Sequence, residues 1–114
     1  MMSLFMKASN VALLVCALPA LAFAQSAPAI DAKAAQELTE KHYCNACHQV
    51  DMKVVGPGMK EIAAKYRGDK DAQAKLVDKV KKGGVGVWGP IPMPANEAVK
   101  DEDVRLLVAW ILSL

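Results

Sequence analysis

Five residues, Cys44-Asn45-Ala46-Cys47-His48, constrain this chain more than any other stretch. Two thiols three positions apart lie on one face of a helical turn, because residues i and i+3 are neighbours there. The imidazole that follows directly can then reach whatever group the two sulfurs hold. This CxxCH spacing is typical of covalent c-type haem attachment. It predicts one covalently attached haem c, with Cys44 and Cys47 as thioethers and His48 as an axial ligand of the iron.

Three other interpretations of the motif are a zinc half-site, a thioredoxin-like redox site and chance occurrence. Zinc needs two further ligands, and outside the motif His42 is the one Cys or His that follows the leader described below. A thioredoxin-like site is expected beside a βαβ pattern, which this sequence does not show. Haem attachment is therefore the preferred interpretation.

The first 24 residues have the three parts of a secretory signal peptide. Lys7 gives a positive start, residues 11–18 form a short apolar run, and residues 22–24 read Ala-Phe-Ala, a small-x-small cleavage site. The apolar run is short for a membrane span. We therefore predict cleavage after Ala24, a periplasmic location, a single domain over residues 25–114 and no stable membrane insertion. An uncleaved leader that anchors the protein is the alternative.

Cleavage also removes Cys16, and haem uses both remaining cysteines, so we expect no disulfide in spite of the oxidising compartment. The predicted domain contains all 12 acidic residues and all but one of the 14 Lys and Arg residues. Because the two signs nearly balance, the chain lacks the strongly basic character of nucleic-acid-binding domains.

Apolar residues recur at helical spacing in four stretches of this domain. Asp31 is a suitable N-cap for the first helix, Asp69 or Asp71 for the third, and Gly83-Gly84 ends the third. The predicted inner positions are Ala34, Ala35 and Leu38; Met59, Ile62, Ala63 and Tyr66; Leu76, Val77 and Val80; and Val104, Leu107, Val108, Trp110, Ile111 and Leu114. We predict an all-α fold of four to five short helices around one covalently bound haem. His42 is expected at an exposed helix position, and Tyr43 is expected to pack.

Residues 84–96 do not fit a helix, because Pro90, Pro92 and Pro94 alternate through them. Proline also lacks the N–H that a strand ladder needs. We therefore predict an extended loop with little conformational freedom.

Met93 lies in this loop, with a proline on each side. Met52 follows His48 too closely to reach the opposite haem face, and Met59 stands at helical spacing with Ile62. Met93 is therefore the predicted sixth ligand, giving the His/Met pair of cytochromes c. A neutral thioether favours ferrous iron, and a filled sixth position excludes substrates, so we predict an electron carrier and no catalytic residues. The alternatives are a haem peroxidase or gas-binding haem protein with a labile sixth ligand, and a fixed cytochrome subunit of a larger redox complex.

The chain resembles the small bacterial class I cytochromes c of the c-551/c-552 type, also called cytochrome c8. The resemblance covers nearly all of residues 25–114. It is carried by CNACH at 44–48, VGP at 55–57, VWGPIPMP at 87–94 and AWILSL at 109–114. Ala95 departs from the family, where a second proline often follows the ligand Met. Lys100 departs too, standing where a serine often caps the last helix.

The resemblance implies roles for three further residues. The Pro57 carbonyl should accept from His48 Nδ1–H, the Trp88 indole N–H should donate to a haem propionate, and Asn96 should help to set the geometry of Met93. It also implies a class I cytochrome c fold and a monomeric respiratory carrier. Its partners would be redox proteins such as a bc1-type complex, a terminal oxidase or a nitrite reductase. The candidate docking lysines are Lys53, Lys75, Lys79, Lys81 and Lys82.

Overall fold

The structure is a computed structural model that describes Ala17, Pro19 and residues 29–114. The predicted leader over residues 1–24 therefore falls, apart from Ala17 and Pro19, outside the described residues and stays a prediction. None of the described helices combines the length and apolar character that a bilayer crossing requires. The elements in chain order are α1 (Ala32–Lys41), a 3-10 turn (Cys44–Ala46), α2 (Met59–Lys65), α3 (Ala72–Lys82), β1 (Gly84–Gly86), β2 (Gly89–Met93) and α4 (Asp101–Leu112). The prediction of four to five short helices is confirmed, since the described residues form four α-helices and one 3-10 turn.

The helix ends follow from single residues in the sequence. Asp31 precedes α1, and its Oδ1 accepts the Ala34 N–H at 2.7 Å, which satisfies one of the donors that a helix start leaves free. Asp71 directly precedes α3, while the Asp69 carboxylate accepts the Asp71 N–H at 2.9 Å. Gly83 ends α3 with φ +71°, a conformation that glycine adopts without steric cost.

Helix α4 is the central element, because it packs against α1, α2 and α3. Its predicted apolar stripe is confirmed, and Val104 and Val108 are each only 1% exposed. One buried cluster joins Ala35, Met59 and Trp110, and the other joins Leu76, Val104 and Val108. Four residues of the stripe also line the cavity described below, namely Val104, Leu107, Val108 and Ile111.

The segment predicted as an extended loop contains a two-stranded antiparallel hairpin, so that prediction was wrong. Gly84 pairs with Met93 and Gly86 with Gly89, with an irregularity between the two pairs. One residue of β1 therefore stands opposite three of β2. Pro90 and Pro92 lie in this bulged stretch, where a ladder N–H is not required of every residue. The hairpin thus tolerates its prolines and fixes the backbone of Met93.

Both ends of the segment 83–96 are fastened to the last turn of α3. The Gly83 N–H donates to the Lys79 carbonyl at 2.8 Å, and the Asn96 N–H donates to the Val80 carbonyl at 3.0 Å. Because the two acceptors are consecutive residues, the segment leaves and rejoins the domain at nearly the same place. The hairpin is therefore a closed unit anchored on α3.

Candidate haem site

The CxxCH motif forms a tight turn directly after α1. The N–H groups of Cys47 and His48 donate to the Cys44 carbonyl at 3.2 and 3.0 Å. Both cysteines are half-buried, and both line the same cavity. Burial raises the pKa of the Cys44 thiol, and the neighbouring Cys47 adds to this rise. The turn therefore presents both cysteine side chains to one enclosed space.

The loop that follows the motif holds His48 in one orientation. His48 Nδ1 lies 2.8 Å from the carbonyl oxygen of Pro57, which accepts the ring N–H when Nδ1 carries the proton. Gly56 makes this approach possible, because a Cβ there would lie 2.5 Å from His48 Cε1. The Gly56 N–H donates to the Cys47 carbonyl at 2.9 Å and closes the loop. Nε2 is left as the ring nitrogen with a free lone pair, as an axial ligand requires.

Met93 is the last residue of β2 and is half-buried. Its carbonyl lies against Gly83, where a Cβ would come within 2.5 Å of that oxygen. Asn96 then secures the exit of the segment, because its Nδ2 donates to the carbonyls of Pro94 at 3.1 Å and Val80 at 3.3 Å. The backbone on both sides of the Met93 thioether is thus restrained.

The seven residues singled out from the sequence meet at one cavity of about 380 Å³. They are Cys44, Cys47, His48, Pro57, Trp88, Met93 and Asn96. Apolar residues of α2, α3, the hairpin and α4 form most of the remaining lining. Apolar walls with a few convergent polar groups, at this volume, are typical of cofactor sites. Two free thiols, one imidazole nitrogen and one thioether around such a cavity fit a covalently held haem.

The other methionines of the described chain stand differently from Met93. Met52 is 62% exposed and does not line the cavity. Met59 touches the cavity but is 3% exposed and belongs to the buried cluster with Ala35 and Trp110. Met93 is the methionine whose backbone is fixed at the cavity without being part of the core.

His42 and Tyr43 differ from the sequence expectation. The His42 side chain is only 15% exposed, and its Nε2 lies 2.8 Å from Asp103 Oδ2 at the start of α4. Lys41 Nζ lies 3.3 Å from the same oxygen. Tyr43 was expected to pack, but it is 80% exposed and has φ +59°. Helical periodicity could not reveal the His42 contact, because its partner lies 61 positions away.

The structure gives no support to zinc binding or thiol redox chemistry at the motif. Within the described part of the chain, no group of three or more Cys, His, Asp or Glu residues could hold a metal ion, and a structural zinc site uses four ligands. A thioredoxin-like site is expected beside a βαβ unit, whereas the sheet in the described residues has two antiparallel strands.

Comparison with known proteins decides the family. The sequence model of the cytochrome c family matches residues 32–114. The chain belongs to the cytochrome c family. Cytochrome c-551 of Allochromatium vinosum is 49% identical over 94 residues, which cover 82% of this chain and 100% of that protein. Cytochrome c-552 of Nitrosomonas europaea is 53% identical over 83 residues, which cover 73% of this chain and 81% of that protein.

Solved structures of cytochromes c share the fold. The crystal structure of wild-type Nitrosomonas europaea cytochrome c552 matches with a TM-score of 0.68 at 53% identity, over 69% of this chain and 98% of that chain. Class 1 cytochrome MtoD from Sideroxydans lithotrophicus ES-1 matches with a TM-score of 0.61 at 35% identity, over 74% of this chain and 96% of that chain. The predicted c-551/c-552 resemblance, class I fold and haem c cofactor are confirmed. The relatives support a monohaem c-type electron carrier.

Proposed function

We propose that this cytochrome c is a periplasmic one-electron carrier in which His48 and Met93 are the axial ligands of one haem iron. The observation that carries the proposal is the single cavity at which both thiols, the His48 ring and Met93 meet. Cys44 and Cys47 would hold the haem through thioether bonds. When bound, the haem supplies a ferric/ferrous couple for one-electron transfer.

The two proposed ligands would affect the reduction potential of the iron in different ways. The hydrogen bond from His48 to the Pro57 carbonyl fixes the ring and makes the imidazole a more basic ligand. Met93 offers a neutral, soft thioether that favours the ferrous state and raises the reduction potential. With both axial positions taken, oxygen or peroxide has no free coordination position. A carrier therefore fits this arrangement better than a haem catalyst, and no catalytic residue is assigned.

Two residues at the cavity support these ligands in the proposal. Asn96 ties the end of the Met93 segment to α3 through its contacts with Val80 and Pro94, which limits movement of the Met93 backbone. Trp88 lines the cavity from the tip of the hairpin, where its indole N–H would donate to a haem propionate.

The optical spectrum of the holoprotein tests the axial ligands. We expect a low-spin ferrous spectrum and, in the ferric state, the weak near-infrared band of a thioether bound to iron. Met93→Ala should abolish that band and let cyanide bind the ferric protein quickly. Met52→Ala, which changes an exposed methionine outside the cavity, is the matched control and should leave both properties unchanged. A high-spin wild-type spectrum, or a band that survives Met93→Ala, would favour the catalytic or gas-binding alternative.

For partners, we propose transient docking with respiratory redox proteins, with a bc1-type complex as donor and a terminal oxidase or nitrite reductase as acceptor. Of the candidate docking lysines, Lys53 and Lys79 line the cavity. The others are engaged within the domain, as Lys75 pairs with Asp69, Lys81 with Asp101 and Lys82 with Asp78. Docking would therefore use Lys53 and Lys79 most directly.

Weak electrostatic encounters of this kind slow down as salt screens them. Electron-transfer rates with an acidic partner should fall with ionic strength, and Lys79→Gln should flatten that dependence more than Lys75→Gln. Rates independent of ionic strength would rule out the lysine proposal. Export is tested separately: protein from the periplasmic fraction should begin at Gln25 and elute as a monomer.

A further inference from the structure

Trp88 stands at the tip of the hairpin, where the backbone alone does little to hold it. Gly86 and Gly89 lie on either side of the two-residue tip, with φ +104° and +117°, and neither has a side chain to pack. Val85, Val87 and Trp88 all line the cavity, so haem would cover part of their exposed surface. Within the protein, the orientation of the ring therefore depends on a contact from another element.

Lys65 supplies that contact from the end of α2. Its Nζ lies 5.3 Å from the centroid of the Trp88 ring, within the distance at which an ammonium group is attracted to the negative face of an indole. Helix α2 begins two residues after Pro57, the residue whose carbonyl lies against His48. The contact therefore joins the side of the cavity that holds His48 to the hairpin that carries Met93.

We propose that Lys65 is a positioning residue that holds the Trp88 ring against the cavity through a cation–π contact. The proposal rests on the proposed function, in which the Trp88 indole donates to a haem propionate. Without Lys65 the hairpin tip loses its tie to α2, and the ring samples more orientations. The loss is one of orientation, so the axial ligands and the covalent attachment stay in place.

A double-mutant cycle on the holoprotein measures the contact. Lys65→Met removes the charge and keeps an unbranched apolar stem, and Trp88→Leu removes the ring. An exposed cation–π contact corresponds to a coupling of about twofold to fivefold in the unfolding equilibrium constant. Lys60→Met is the matched control, because Lys60 lies in the same helix and its ammonium pairs with Asp51. We expect Lys60→Met and Trp88→Leu to combine additively. Additive behaviour of the Lys65 and Trp88 changes would overturn the proposal.

Proton NMR of the reduced holoprotein gives chemical shifts that a general loss of stability would not change. Protons over the face of an indole ring are shifted upfield, so the Lys65 ε-methylene signals should lie upfield and should return toward ordinary lysine positions in Trp88→Leu. If Trp88→Leu does not yield folded holoprotein, the near-ultraviolet circular dichroism of Trp88 is compared between Lys65→Met and Lys60→Met, and this comparison tests the positioning role. Loss of the Trp88 signal in Lys65→Met alone is expected. Equal spectra of the two lysine variants would refute the positioning role.

The two proposals fail in different ways. Lys65→Met should keep the near-infrared thioether band, because it touches neither axial ligand. A wild-type protein without that band contradicts the proposed His48/Met93 ligation. A wild-type protein with the band, but with ordinary Lys65 methylene shifts, contradicts the Lys65 proposal alone.

Discussion

Replacing Asp103 by Asn tests whether the tie between α1 and α4 stabilises the domain. Asp103 Oδ2 accepts from His42 Nε2 at 2.8 Å and from Lys41 Nζ at 3.3 Å. The Asp103 and His42 side chains are only 16% and 15% exposed, whereas Lys41 is 61% exposed. We expect Asp103→Asn to lower the free energy of unfolding at neutral pH by about 2–3 kcal/mol.

The magnitude follows from the three interactions that the substitution weakens. A hydrogen bond to a charged group contributes roughly 1.5–3 kcal/mol, and the lower end applies because Asn keeps an oxygen that can accept from His42. The exposed Lys41 pair adds roughly 0.2–0.5 kcal/mol. An acidic residue in the first turn of a helix adds roughly 0.3–1 kcal/mol. Glu102→Gln loses only this last contribution, since Glu102 is exposed in the same turn of α4.

The effect has a defined pH dependence. Hydrogen bonding from His42, and less from Lys41, lowers the pKa of Asp103. A carboxyl group with a lowered pKa in the folded state contributes stability above its unfolded pKa of about 3.9. That stability is lost as the pH falls through the folded pKa. The difference between wild type and Asp103→Asn should therefore be full at neutral pH and should shrink as the pH falls below about 4.

Urea unfolding of the two holoproteins at constant ionic strength, from pH 7 to pH 3, measures this difference without adding a denaturant salt. For a domain of this size the expected loss corresponds to a lowering of Tm by roughly 8–24 °C at neutral pH. The reasoning is refuted if Asp103→Asn loses no more stability than Glu102→Gln at pH 7. It is also refuted if the difference from wild type is as large at pH 3 as at pH 7.

The remaining predictions concern single positions in the fold. Lys100 precedes α4 with an extended backbone, and its side chain makes no capping hydrogen bond, so Lys100→Ser should raise the free energy of unfolding by about 1 kcal/mol. An unchanged or lower Tm would show that another residue already caps the helix. Gly83→Ala should destabilise by more than about 1 kcal/mol and weaken the near-infrared band, because its φ is +71° and the Cβ would meet the Met93 carbonyl at 2.5 Å. Gly68→Ala is the control, with φ +82° but open space around the added Cβ, and it should cost about 1 kcal/mol and leave the band unchanged. Equal effects of both changes on the band would contradict the argument.

Much of the architecture could be predicted because its causes are local in sequence. Asp31 caps α1 through a residue three positions away, and Gly83 ends α3 through its own φ. The apolar stripe of α4 identifies its buried side, because the same 3.6-residue periodicity predicts both that the segment is helical and which side faces the core. The CxxCH motif places two thiols and an imidazole together within five residues. In each case the residues that determine the structure are close neighbours along the chain.

The parts that could not be predicted depend on partners that are distant in sequence. The hairpin was missed because prolines argue against strands in general, and only the register shows that Pro90 and Pro92 fall in a bulge. The burial of His42 was missed because Asp103, its partner, lies on α4. No sequence pattern distinguishes Lys65 from the other lysines, because its contact with Trp88 depends on the packing of α2 beside the hairpin.

The anchoring of residues 83–96 on consecutive carbonyls of α3 makes the segment that carries Met93, the proposed ligand, a self-contained insert in the helical frame. A chain that departs and returns at one helical turn can change in length or composition while its two attachment points stay where they are, and lengthening such a loop adds little entropic cost. Variation inside this insert can therefore alter the surroundings of the iron without repacking the core. The fold separates the part of the sequence that maintains the domain from the part in which its redox properties can diverge during evolution.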